Sequence, residues 1–166
     1  MLISAVLVTV FALTTQIRPD PWFDPRYAIP ILGMILGNTM SGVSLGLQGL
    51  SSSAWTERRG IEAQLALGAN RWEAMRGVGR KAMMTALTPI VNSMSASGIV
   101  FLPGMMTGQI LAGVDPVEAV KYQILIMFLI AGGTGFGSVV AVYGGIARLT
   151  DARHRLRLDR LAPAKN

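Results

Sequence analysis

The sequence predicts an all-α membrane protein with about four transmembrane helices, and three observations carry that prediction. Hydrophobic residues fill 51% of the 166 positions, charged residues only 14%, and the mean hydropathy is +0.47, whereas an ordinary soluble domain carries about 25% charge. The apolar residues gather into four runs, near residues 2–17, 27–50, 82–113 and 120–147, where a bilayer crossing needs about 20 residues. The charges fall almost entirely between those runs, so the net charge of +6 reads as topology rather than as a nucleic-acid-binding surface, which needs basic residues on a solvated fold.

The first run lacks the basic start and small-residue cleavage site of a signal peptide, so it is read as a span, shorter than the others. A turn-rich loop with three prolines follows over residues 18–26, with Trp22, Phe23 and Tyr27 suited to an aromatic belt at the membrane surface. The second run leads into a long charged segment, residues 51–81, whose Ile61, Leu65, Trp72 and Met75 recur at helical spacing. That pattern predicts two short helices meeting near Gly68, with the glycine as a C-terminal cap and Asn70-Arg71-Trp72-Glu73 starting the next helix. A surface helix lying on lipid headgroups has the same pattern.

The third run is longer than one straight helix needs. Pro89 and Pro103 each remove an amide donor and crowd the preceding turn, so the run is read as a helix broken at Pro103-Gly104, the alternative being a kink relieved by Ser95 and Ser97. Non-helical backbone at membrane depth is tolerated only where protein groups or a water-filled cavity satisfy it, which makes the break a candidate pathway. In the DPVEA that opens the fourth run, Pro116 suits a first turn and Asp115 and Glu118 are favourable to the helix dipole. Its AGGTGFGS, residues 131–138, is a stripe of small residues that lets helices approach closely or hinge.

Orientation follows from the basic residues. Twelve of the 15 lie either in the segment 51–81 or in the tail after Ala147, and the positive-inside rule places that side in the cytoplasm together with both termini. The expected organisation is one membrane domain over residues 1–158 and a basic cytoplasmic tail over 159–166. His154, the single histidine, sits among tail arginines and suits membrane-surface contact better than metal ligation. There is no cysteine, so no disulfide or thiolate site, and no GxxxxGK[ST] phosphate cradle. An energy source must come from a partner, and no catalytic residue or bound cofactor is expected.

Inside the membrane, amides need partners or water, which singles out Asn38, Asn92 and Gln109, with Pro103 and Gly104 at the break, as candidates for a substrate route. Helix–helix hydrogen bonding, worth about 0.6 kcal/mol each, is the alternative use of the same groups. The ten methionines, among them Met34, Met40, Met105 and Met106, read better as flexible packing than as thioether ligands, which select Cu(I) over iron. Oxygen donors for iron would be Asp115 and Glu118, and their helix-start role is the stronger reading. Metal ligands are otherwise unassigned.

Four strings then bring in a family. AIPILGMILGNTMSG (28–42), EAQLALGA (62–69), LPGMMTGQILAGVDPVEAVKYQI (102–124) and DARHRL (151–156) resemble, in order and spacing, the FetB/YbbM permease family, which includes plant aluminium-tolerance relatives. The resemblance runs from about residue 26 to 158 and covers only the C-terminal part of the family, whose members normally carry further spans ahead of it, so the chain is expected to lack those spans, as a truncated gene model or fragment would. It implies a membrane subunit of an ABC transporter, a homodimer in the lipid of the bacterial inner membrane, that works with a separate ATPase subunit and exports iron or another metal. Plant relatives suggest a UDP-sugar instead, and a non-transporting scaffold piece is a further alternative. Glu62, Ala63, Leu67, Gly68 and Ala69 are similar to the permease helix that docks on the ATPase, although Gln64 replaces a second alanine and Arg80-Lys81 replace the usual Leu-Pro. Asn92 stands where many relatives have an aspartate followed by a lysine, so a role for that ionic pair does not transfer.

Overall fold

A computed structural model describes residues 2–17, 25–100, 102–151 and 155–157. All named elements among them are helical: α1 (Leu2–Phe11, continuing in π-type winding over Ala12–Ile17), α2 (Pro25–Thr56), α3 (Arg58–Ala66), α4 (Arg71–Ala74), α5 (Arg76–Ala96), α6 (Gly104–Leu111) and α7 (Pro116–Leu149). The proposed aromatic belt at Trp22, Phe23 and the Tyr27 side chain lies outside the described residues, as do His154 and the tail 159–166.

Two helices, Ala28–Thr56 and Pro116–Leu149, are long and apolar enough to cross a membrane. Only 28% and 33% of their most apolar windows are buried, unlike the core helices of a soluble protein. Ile29, Met40, Ile124, Phe128, Phe136 and Val140 all point outward. So broad an apolar surface belongs against lipid or another apolar partner. α1 contributes a shorter apolar helix, Ala5–Thr14. α5 begins within the charged segment, with Arg76, Arg80 and Lys81 in its first six residues.

Packing differs between the two ends of the bundle. α2 packs along both α5 and α7, and α1 lies across α2 and α7. At the end bearing the charged segment, Leu50, Ala54, Ile61, Ala74, Met75, Val78, Ile146 and Leu149 form one cluster, with Leu156 against it. Here water is the competing environment, and burying a Leu, Ile or Met side chain contributes about 1.5–3 kcal/mol. The two basic segments therefore share one end of the molecule. The second cluster, around Ile31, Ile35, Ile90, Ile126 and Ile130, takes in Ala5, Ala12 and Leu13 of the first run.

Between the clusters α2 and α7 meet through small residues. A Cβ on Gly133 would stand 3.0 Å from Ile35 Cγ2, and one on Gly42 would collide with the Thr134 methyl and lie 3.2 Å from the Ala86 carbonyl oxygen. The AGGTGFGS stripe thus turns its buried face, Gly133, Thr134, Gly137 and Ser138, toward α2 of the same chain. The hydroxyls of Thr39, Thr134 and Ser138 are buried there without a protein partner.

The break in the third run is real and begins earlier than Pro103. α5 ends at Ala96, Ser97 is extended (φ −66°, ψ 130°), Gly98 is left-handed (φ 81°), and α6 starts only at Gly104. Pro103, extended at φ −60° and ψ 137°, caps α6. Two local rules combine: a residue before proline avoids the α region, and a left-handed residue stops the upstream helix. Pro89 and Pro30, by contrast, sit within continuous helices.

Candidate functional site

The charged segment folds as its spacing predicts. α3 closes in a Schellman cap: the Gly68 amide donates to the Leu65 carbonyl (3.1 Å) and the Ala69 amide to the Gln64 carbonyl (3.0 Å). Gly68 takes φ 94°, a conformation that costs any residue bearing a Cβ about 1–2 kcal/mol. One residue later Asn70 starts α4, its side chain accepting from the Trp72 and Glu73 amides while the Glu73 carboxylate accepts from the Asn70 amide, a complete capping box. Two opposed caps within three residues make a tight corner.

The residues singled out for docking sit on the outside of that corner. Glu62, Ala63 and Gly68 are exposed, Ala69 is half-buried, and Leu67 is 89% exposed. Ile61 and Ala74 anchor the corner from beneath by entering the cluster at this end. Arg58 stacks over Trp55, 4.6 Å from the ring centroid, and Lys81 of α5 pairs with Glu57 at 2.5 Å. The base of α3 is thereby fastened to both long helices that flank the segment.

The route candidates are spread over three helices. Asn38 is exposed on α2 and donates to the Met34 carbonyl of its own helix (2.8 Å). Asn92 is exposed on α5 and lines a cavity of about 420 Å³ with Thr88 and Val91, a cavity whose lining includes neither Asn38 nor Gln109. Gln109 is half-buried on α6, its Oε1 shielded and without a partner, as is that of Gln123 on α7. Pro103 and Gly104 form the start of α6, where the Thr107 amide returns to the Pro103 carbonyl (3.1 Å). Asp115 caps α7, accepting from the Val117 amide at 2.9 Å, and Glu118 pairs with Lys121 at 2.6 Å, which is the helix-start role. Met34 and Met105 pack against the second cluster. Among the described residues no group of three His, Cys, Asp or Glu side chains gathers at metal-binding range.

One cleft was not anticipated. A cavity of about 720 Å³ opens between the α4–α5 corner and α7, walled by Arg76, Arg80, Met83, Tyr143 and Ile146, with Trp72 and Tyr143 rings 5.7 Å apart at its edge. The i, i+4 spacing of Arg76 and Arg80 was readable in sequence; Tyr143, more than 60 residues on, was not linked to them by any local signal.

The family model described as an uncharacterised protein family, UPF0014, matches residues 1–150. The chain belongs to this family. It is similar to a UPF0014 membrane protein of Synechocystis (49% identical over 127 residues, 76% of this chain and 49% of the relative). It is also similar to the probable iron export permease protein FetB of Escherichia coli (38% identical, 95% of this chain and 60% of the relative). The protein ALUMINUM SENSITIVE 3 of Arabidopsis thaliana is 32% identical over 86% of this chain and 51% of its own length. The chain thus spans about half to three fifths of the length of these relatives. No solved structure matches it.

Proposed function

We propose that this chain is a permease subunit of an ATP-driven transporter of the ABC type, crossing a bacterial inner membrane about four times, with the charged segment and the C-terminus in the cytoplasm. The observation that carries the reading is the doubly capped corner at Gly68–Asn70, which holds Leu67 out in solvent on a short helix fastened to α2 and α5. An ATPase gripping Glu62–Ala69 would pull on α2 and α5 together, and the discontinuous α5–α6 segment is where access would change. Iron or another metal is the cargo of choice, by similarity to a probable iron export permease, and two copies of the permease would flank the path.

The test is co-purification with a candidate ABC ATPase subunit co-expressed with the chain. Leu67→Asp, at an almost fully exposed position, should leave the protein folded and lower ATPase retention at least tenfold. Retention that survives deletion of residues 62–70 removes the docking reading. Proteoliposomes holding both subunits, loaded with Fe²⁺ or with UDP-glucose, then separate the cargoes; ATP-dependent movement of the sugar alone overturns the metal assignment, and movement of neither leaves a scaffold.

A further inference from the structure

Arg80 and Met83 line both the 720 Å³ cavity and the 420 Å³ cavity that includes Asn92, so the two adjoin along α5. Taken together as one groove they follow α5 from Arg76 to Asn92, about 24 Å at 1.5 Å per residue. Its chemistry changes along that length. The mouth, at the charged end, holds Arg76, Arg80 and the Trp72–Tyr143 ring pair; the interior wall is Met83, Met84, Leu87 and Val91.

The mouth is electrostatically open. Glu73 is the acid that lines it, and its carboxylate is committed to the Asn70 amide. Among the described residues Lys81 pairs with Glu57 and Lys121 with Glu118, and no carboxylate pairs with Arg76 or Arg80. Two guanidinium groups beside amphipathic aromatic rings, at the foot of an apolar trough, match one class of molecule in both halves: an anionic head on a hydrocarbon chain. Gly79 is the reason the trough has a floor, because α5 and α7 approach until a Cβ there would lie 3.2 Å from Ile146 Cδ1.

We propose that this groove binds one anionic phospholipid of the leaflet facing the charged segment, its phosphate held by Arg76 and Arg80 and an acyl chain laid along Met83, Met84 and Leu87. The site needs only that the chain resides in a membrane; it does not depend on an ATPase or on any cargo. A lipid seated there touches α4, α5 and α7 at once and ties the corner bearing Leu67 to the bundle.

The experiment is native mass spectrometry of the full chain released from nanodiscs of equal phosphatidylglycerol and phosphatidylcholine. The expected result is retained phosphatidylglycerol in preference to phosphatidylcholine, the preference falling about fivefold for each of Arg76→Gln and Arg80→Gln, from about 1 kcal/mol per basic residue near a lipid surface. Arg59→Gln, the same charge change on α3, should leave it unaltered. Arg76→Lys with Arg80→Lys keeps the charge and should keep most of the preference, which guards against misfolding of the neutral variants. Met83→Trp fills the trough without touching charge and should expel the lipid. Inorganic phosphate at millimolar concentration should not displace it. Displacement by phosphate alone, an equal loss with Arg59→Gln, or a preference indifferent to both arginines overturns the proposal. So does a Met84→Cys variant that crosslinks into dimers retaining no lipid, which would give the groove to a second copy.

Discussion

Gly42 offers a sharp test of how the α2–α7 seam is held. Between helices in hydrocarbon there is little hydrophobic driving force, so association rests on close van der Waals contact, and close contact here depends on absent side chains. An added Cβ on Gly42 would overlap the Thr134 methyl, lie 3.2 Å from the Ala86 carbonyl oxygen and 3.4 Å from Ser138 Oγ. Two of the three obstacles sit on α7 and one is the backbone of α5, so Gly42→Ala must push α2 from both neighbours. Overpacking of this kind costs about 1–3 kcal/mol, against about 0.5–1 kcal/mol gained by replacing a helical glycine with alanine. The net is a loss of up to about 2.5 kcal/mol, or up to about 10 °C in Tm at 2–4 °C per kcal/mol for a chain of this size.

Gly37, one and a half turns earlier on the same helix, has nothing within 4 Å of its Cβ position. Gly37→Ala should therefore raise Tm by about 1–4 °C. Thermal unfolding of the two variants in one detergent compares them directly. Adding Thr134→Ser to Gly42→Ala removes the methyl and should recover part of the loss, an interaction of at least about 0.5 kcal/mol between contacting sites. A Gly42→Ala protein as stable as Gly37→Ala would refute the seam.

Three further outcomes follow from the described contacts. Asn70→Ala removes the α4 cap and should cost about 1 kcal/mol, seen as about fivefold faster hydrogen exchange at the Trp72 and Glu73 amides with α7 unaffected; equal protection would show the capping box to be idle. Glu57→Gln breaks the pair with Lys81, but with side chains 39% and 62% exposed the loss should stay below about 1 kcal/mol, and a larger drop in denaturation midpoint would mean the pair is shielded from water. Gln109→Leu deletes a shielded amide oxygen that has no partner, so Tm should hold or rise, and under the proposed permease role movement of the cargo should fall severalfold; undiminished movement takes Gln109 out of the route.

Much of the fold was legible because the signals were local. Gly68 and Asn70 declared a cap and a start, and both are there, since cap geometry is satisfied by bonds within five residues. Asp115-Pro116 marked the start of α7 for the same reason. The break was visible as Pro103 but was placed too late: α5 unwinds at Ser97 because Gly98 turns left-handed, and a glycine in an apolar run does not announce that choice.

The sequence by itself determined that this is a helical chain with more apolar surface than a soluble fold can hide, with its basic residues gathered into two segments and its corner at Gly68. It also carried enough of the family's strings to be matched before any geometry was seen. Only the tertiary structure decided what each face meets. It turned Gly133 and Thr134 inward onto α2, left Asn38, Asn92 and Gln109 on separate helices, and set Arg76 and Arg80 opposite Tyr143 across a groove. Periodicity within one helix says which residues share a face, but the partner of that face depends on how distant helices pack, and that is a property of the whole bundle.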